Sequence, residues 1–368
     1  MSDNAYDYYG GGNTARGYTS LLPSSLQGLE RLCVVRGGPG LGKRCELRSI
    51  SDKLSAAGHE VWRIACASDP DALDALIVPG LSLGIVDGTT PNAIVPEIVG
   101  ATVVEFDLGE ACDKSALSAR ESEMASLDQE IADRFAEAYA GFAEALRVHD
   151  DWEKIYIGNM DFQKADELTQ ECIDRLIVDR KSARAGSEAH RFLGAATPLG
   201  AVDYVPGLTE GLKRYLLKGR PGSGKSTMLK KLAAAAAERG FDSEIYHCGF
   251  DPNSLDMVVV RELGFAIFDS TAPHEYFPDR PSDEIVDMYE RCIAPGTDEA
   301  HADELAPIRQ QYAANMKRSI GLLAEARSLR DQLERLYAET VDSPAVERIV
   351  EEFRRDVLGF ASIQVWRI

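Results

Sequence analysis

The chain has 368 residues, 45% hydrophobic and 27% charged, enough for two domains with substantial cores and unlike a disordered polymer. With 60 acidic against 40 basic residues its net charge is −20, which argues against nucleic acid as the main partner, since that binding needs a basic footprint. The opening MSDNAYDYYGGG has neither a basic nor an apolar stretch, and no window reaches the roughly 18 apolar residues of a membrane span, so a cytoplasmic protein without membrane contact is expected.

In chain order the first half reads as a strand at Arg31–Arg36 and a glycine loop, Gly37-Gly-Pro-Gly-Leu-Gly-Lys43-Arg44, followed by a helix that Gly58 stops. A second strand ends at Cys66, and a third, Leu83–Val86, ends in Asp87. Leu117, Met124, Leu127, Ile131, Phe135, Tyr139, Phe142 and Leu146 then step by threes, fours and sevens, which predicts a long amphipathic helix, and a shorter one is expected over 163–178. The polar run 179–191 lacks apolar periodicity and reads as a linker.

The second half repeats this order: a strand at Arg214–Lys218, a glycine loop, and an alanine-rich helix to Gly240. A strand ending at Cys248 and a strand Phe265–Phe268 ending in Asp269 follow. Ile308, Tyr312, Met316, Ile320, Leu323, Leu333 and Leu336 predict a second long helix, with a shorter one over 344–358. These helices either cover the sheets and pair the two halves or form an arm for a protein partner.

The likeness is residue by residue. A shift of 182 superimposes Gly37, Pro39, Gly40, Gly42 and Lys43 on Gly219, Pro221, Gly222, Gly224 and Lys225. The same shift pairs Cys66 with Cys248, Asp69 with Asp251, Asp74 with Asp256, Asp87 with Asp269 and Thr89 with Thr271. One residue of slippage either way adds Thr14 with Thr197, Gly17 with Gly200, and Tyr156 with Tyr337. This is a duplication. The expected fold is α/β: two tandem P-loop NTPase-like parallel-sheet domains, 1–178 and 192–368, each followed by long amphipathic helices.

The second loop, Gly219-Arg-Pro-Gly-Ser-Gly-Lys225-Ser226, satisfies G-x-x-x-x-G-K-[ST] between a strand and a helix. Gly219, Arg220, Pro221, Gly222, Ser223, Gly224, Lys225, Ser226 and Thr227 are therefore expected to bind ATP, the amides cradling phosphate and Lys225 meeting the β- and γ-oxygens. Ser226 and Asp269 are the expected Mg²⁺ ligands, Asp269 in the position of a Walker B acid. Asp251 and Asp256 either work on a water or acceptor hydroxyl or cap a helix start. His274 either senses the γ-phosphate or lies idle at the surface.

In the first loop Gly37, Gly40, Gly42 and Lys43 keep a candidate phosphate cradle, but Arg44 replaces the metal-binding hydroxyl and cannot ligate Mg²⁺. Asn92 stands where the second half has His274. One competent site, in the second half, is expected. The seven cysteines (33, 45, 66, 112, 172, 248 and 292) form no CxxC pair and read as buried free thiols of a reducing compartment.

Lys218 to Thr227, His247-Cys248, Asp251-Pro252 with Leu255-Asp256, and Asp269 to His274 resemble a family of bacterial tandem P-loop ATP-binding proteins, as do Gly194 to Pro198 and Leu208 to Gly211. The resemblance spans nearly the full chain and implies ATP binding without naming a substrate. An Mg-dependent ATPase is the leading expectation; a small-molecule or nucleotide kinase and a non-catalytic nucleotide sensor or scaffold are the alternatives. No Asn-Lys-x-Asp specifies guanine, and no Leu-Ser-Gly-Gly-Gln marks a transporter-type ATPase.

Overall fold

The computed structural model describes residues 5–89, 100–177 and 184–364. The first copy forms β1 (Ala5–Tyr9), β2 (Gly11–Thr14), β3 (Gly17–Ser20), α1 (Leu22–Ser25), β4 (Arg31–Arg36), α2 (Lys43–Ala56), β5 (Val61–Ala65), β6 (Leu73–Val78), β7 (Leu83–Asp87), β8 (Thr102–Asp107), α3 (Lys114–Gly158) and α4 (Phe162–Ile177). The second forms β9 (Glu188–Phe192), β10 (Gly194–Thr197), β11 (Gly200–Asp203), α5 (Val205–Leu208), β12 (Lys213–Lys218), α6 (Lys225–Glu238), β13 (Ser243–His247), β14 (Leu255–Val260), β15 (Phe265–Asp269) and β16 (Glu284–Asp287). The helices α7 (Met288–Cys292), α8 (Thr297–Ala300), α9 (Ala302–Ala338) and α10 (Ser343–Gln364) complete it. Each strand from β1 to β8 has its counterpart between β9 and β16.

The sheets are mixed, which corrects the expectation of parallel ones. The order in the first copy is β1-β5-β6-β7-β4-β8, and in the second β16-β12-β15-β14-β13-β9. Strand β6 runs antiparallel to β5 and β7, as β14 does to β13 and β15, while the remaining pairs are parallel. The reason is local. Only Pro79-Gly-Leu-Ser82 joins β6 to β7, and Arg261-Glu-Leu-Gly264 joins β14 to β15, too few residues for a parallel crossover. Gly264, at φ +73°, makes the second of these turns.

The compact units do not follow the 1–178 and 192–368 boundaries. One gathers the chain up to Gly10, Ser20–Ala136, and everything from Leu322 on; the other gathers Gly11–Thr19 and Glu137–Gly321. Apolar faces account for the difference. In the second unit α4 lays Leu168, Cys172, Ile173, Leu176 and Ile177 into one core with Met228, Leu229 and Leu232 of α6 and with Ile245 and Val258 of the sheet. In the first unit Phe353, Val357 and Ala361 of α10 share a core with Leu47, Ile50 and Leu54 of α2 and with Cys33 and Leu76. The long helices also cover core. Met124, Leu127, Ile131 and Phe135 meet Leu329, Leu333 and Leu336 within the first unit.

Among the described residues no helix is long and apolar enough to cross a membrane. All seven cysteines are free; Cys33, Cys112, Cys172 and Cys292 are buried, whereas Cys45 is exposed.

Candidate functional site

In the second unit β12 delivers the chain into the loop 219–224, and α6 starts at Lys225. Gly222 and Gly224 have φ of +75° and +89°, a left-handed backbone that L side chains rarely adopt and that this tight turn requires. Gly224 caps α6 without a side chain, so the first amides of the helix face the loop. Lys225 is 8% exposed. Its Nζ donates to the Arg220 carbonyl (3.0 Å) and lies 3.5 Å from Asp269 Oδ2. Asp269 is opposite Leu217 in the β12–β15 register, which brings strand end and loop together. Thr271 donates both its hydroxyl (2.7 Å) and its N–H (3.1 Å) to Asp269 Oδ1.

Ser226 Oγ accepts the Leu255 N–H (2.9 Å), which seats the turn between β13 and β14 on the first turn of α6. Ser223 Oγ is buried and has no partner. Arg220 pairs with Asp298 (2.8 Å) and lies over the Tyr289 ring. Pro221 is half-buried, and Thr227 is exposed on α6. Donor types and cradle fit a phosphate with Mg²⁺: left-handed glycines, a buried lysine, a hydroxyl and a carboxylate, all hard oxygen or N–H groups.

Helix α3 covers the loop. A Cβ on Gly222 would come within 2.6 Å of the Glu153 carbonyl oxygen. Burial pushes the Glu153 carboxyl up, and Asp150 adds to it, while Lys225 and the Gly222 amide pull the other way. Burial also lowers His149, whose ring meets Phe250 and Tyr312 at centroid distances of 6.0 and 5.7 Å. His149, Asp150 and Glu153 offer ligand atoms within 4.8 Å of one another on this helix.

On the other side stands a histidine–aspartate pair. His274 Nδ1 is 2.7 Å from Asp203 Oδ2, and Tyr276 donates its hydroxyl to Asp203 Oδ1 (2.5 Å). His274 is 13% exposed at its side chain, not an idle surface residue. Burial works against its cation, but the Asp203 bond prevails, and Asp256 and Asp269 add to it, so its pKa is raised. Asp256 lies within β14, and burial, then the Asp269 charge, pushes its carboxyl up to about 7.

Neither Asp251 nor Asp256 caps a helix. Asp251 closes a turn whose Ser254 N–H bonds its carbonyl, and β14 follows. Its carboxylate takes Arg16 Nε at 3.0 Å.

The first loop keeps the backbone and changes the contacts. Gly37, Gly40 and Gly42 have φ of +123°, +77° and +81°. Lys43 donates to the Gly37 carbonyl (2.9 Å), to Asp87 (3.0 Å) and to Thr89. Burial lowers its pKa against the pull of Asp87. Arg44 is 2.9 Å from Asp69 and 2.5 Å from Glu334. Arg327 reinforces this cluster through Asp331 (2.8 Å) and Asp69 (3.4 Å). A Cβ on Gly40 would meet the Glu334 carbonyl at 2.8 Å, the counterpart of Glu153 on Gly222. Asn92 lies outside the described residues.

Comparison with known proteins finds no matching family model, no matching curated protein and no matching solved structure.

Of the sequence candidates, Lys225 and Ser226 open α6 with Asp269 3.5 Å from Lys225, while Asp251 is held by Arg16 and His274 by Asp203. Glu153, His149, Asp203 and Arg16 were not anticipated. A shift of 181, already needed to pair Tyr156 with Tyr337, also pairs Glu153 with Glu334, so one of the four had a signal in the repeat.

Proposed function

We propose that the chain is an Mg²⁺-dependent ATPase with one competent site, in the second unit. The observation that carries this reading is the contrast between the loops. Lys225 lies 3.5 Å from Asp269 and the Ser226 hydroxyl follows it at the start of α6, whereas Arg44 fills the place of that hydroxyl with a charge bound to Asp69 and Glu334. In this reading Gly222, Ser223 and Gly224 offer amides to the phosphates, and Lys225 leaves the Arg220 carbonyl for the β- and γ-oxygens. Ser226 and Asp269 hold Mg²⁺, which when bound neutralises phosphate charge. His274, oriented through Nδ1 by Asp203, which raises its pKa, would donate toward the terminal phosphate. A phosphotransferase reading rests on Asp251, whose carboxylate is engaged by Arg16.

The test is phosphate release from ATP with Mg²⁺. Wild-type protein is expected to turn over slowly without any added acceptor, and Lys225→Ala to lose at least about a hundredfold in rate. Release that depends on an added metabolite indicates a kinase; tight ATP binding with no release indicates a sensor.

A further inference from the structure

Residues 11–19 belong to the second unit although the chain on both sides of them belongs to the first. This β2–β3 ribbon is anchored by buried contacts. Asn13, 1% exposed, donates to the Ala196 carbonyl (3.0 Å) and accepts the Tyr139 hydroxyl (3.0 Å). The Thr14 hydroxyl donates to the Gly17 carbonyl (2.7 Å) and closes the tip. Ala15 N–H then bonds the Phe250 carbonyl (2.9 Å), which fixes the next residue, Arg16, beside Asp251.

We propose that Arg16 is a catalytic arginine that the β2–β3 ribbon delivers to the terminal phosphate of the nucleotide at the second loop. This rests on the ATPase reading above. The turn that holds Asp251 ends at Leu255, whose N–H is on Ser226 Oγ, so Arg16 stands one tight turn from the expected metal ligand. Asp251 and Lys225 both act on the charge of His149 and of Glu153, which marks a shared environment. The Arg16 side chain is half exposed; its Nε meets Asp251, and its Nη2 donates to the Asn253 side-chain oxygen (3.0 Å), a neutral contact that a phosphate entering the site would replace. A guanidinium stays charged at any working pH and matches phosphate geometry.

The repeat separates this from an ordinary surface ion pair. In the second copy the ribbon β10–β11 has the same tip, with the Thr197 hydroxyl on the Gly200 carbonyl (2.8 Å). The residue in the place of Arg16 is Leu199, 78% exposed. The scaffold was duplicated, but the arginine stands on one copy. During hydrolysis water forms the new bond to the γ-phosphorus while the bridging P–O bond breaks. That electron pair goes to the β-phosphate oxygen and the water proton to solvent. Arg16 neutralises the charge that builds on the transferring oxygens.

The full chain carrying Arg16→Ala is expected to lose at least about a hundredfold in phosphate release while its ATP dissociation constant moves less than about threefold. It is also expected to retain ADP but no longer to trap ADP with aluminium fluoride, a mimic of the transferring phosphate. Arg16→Lys recovers only part of the loss, and Leu199→Ala matches wild type. Wild-type turnover that persists in Arg16→Ala overturns the inference and leaves the ATPase reading intact. A parallel fall of rate, affinity and unfolding temperature assigns Arg16 to anchoring and also overturns it. Wild-type protein that binds ATP without releasing phosphate overturns both.

Discussion

If the second loop binds nucleotide as proposed, the Glu153 carboxylate and the incoming phosphate are expected to compete. The carboxylate of α3 sits where its charge is opposed by Lys225 and the Gly222 amide, and burial raises its pKa. Glu153→Gln removes a like charge from the nucleotide's path and is expected to tighten ATP binding by about fivefold. In wild type the affinity is expected to rise as the pH falls through this raised pKa, and the variant to show no such slope. Equilibrium titration at several pH values checks both; equal or weaker binding by the variant refutes the competition. Asp256 gives a stability prediction. Its folded pKa, about 7, exceeds the ordinary carboxyl value of about 4, so the native state holds a proton that the unfolded chain has released. Its contribution is therefore full below about pH 4 and is lost as the pH rises through about 7. Relative to Asp256→Asn, wild type is expected to lose on the order of a few kcal/mol between pH 4 and pH 8, read from urea midpoints.

At the scale of elements, the terminal helices decide which residues form which core. Phe353 is 1% exposed and packs against Phe106, with ring centroids 5.2 Å apart, in the first unit. Phe353→Ala is expected to destabilise that unit by about 3–5 kcal/mol, although the residue belongs to the second copy by sequence. Amide exchange reports it directly: protection should fall in β4, β5 and β7 and hold in β12, β13 and β15. Loss confined to the second set would mean that α10 stabilises its own copy. Helix α6 was legible from its spacing alone, since Met228, Leu229, Leu232, Ala233 and Ala236 bury one face. Strand β14 was not, because Asp251 before Pro252 reads equally as a helix start. What makes it a strand is the hydrogen bonding of Met257 to Val260 opposite β15.

At the scale of the molecule, two like loops are expected to behave unlike. One Mg-nucleotide per chain is the expected stoichiometry, and Lys43→Ala should leave it unchanged while Lys225→Ala abolishes it; calorimetric titration counts the sites. Two sites of similar affinity would contradict the asymmetry. The sequence alone established the duplication, the strand–loop–helix units and the different eighth residue of each loop. These are local facts: glycine conformations, apolar periods and a hydroxyl replaced by a guanidinium all act within a few residues of themselves. The tertiary structure decided the rest. Arg16 reaches Asp251 across 235 residues and His274 reaches Asp203 across 71. Contacts at such separations leave no period in the chain, so which helix covers a loop and which ribbon brings an arginine to it emerge only when the apolar faces have chosen their partners.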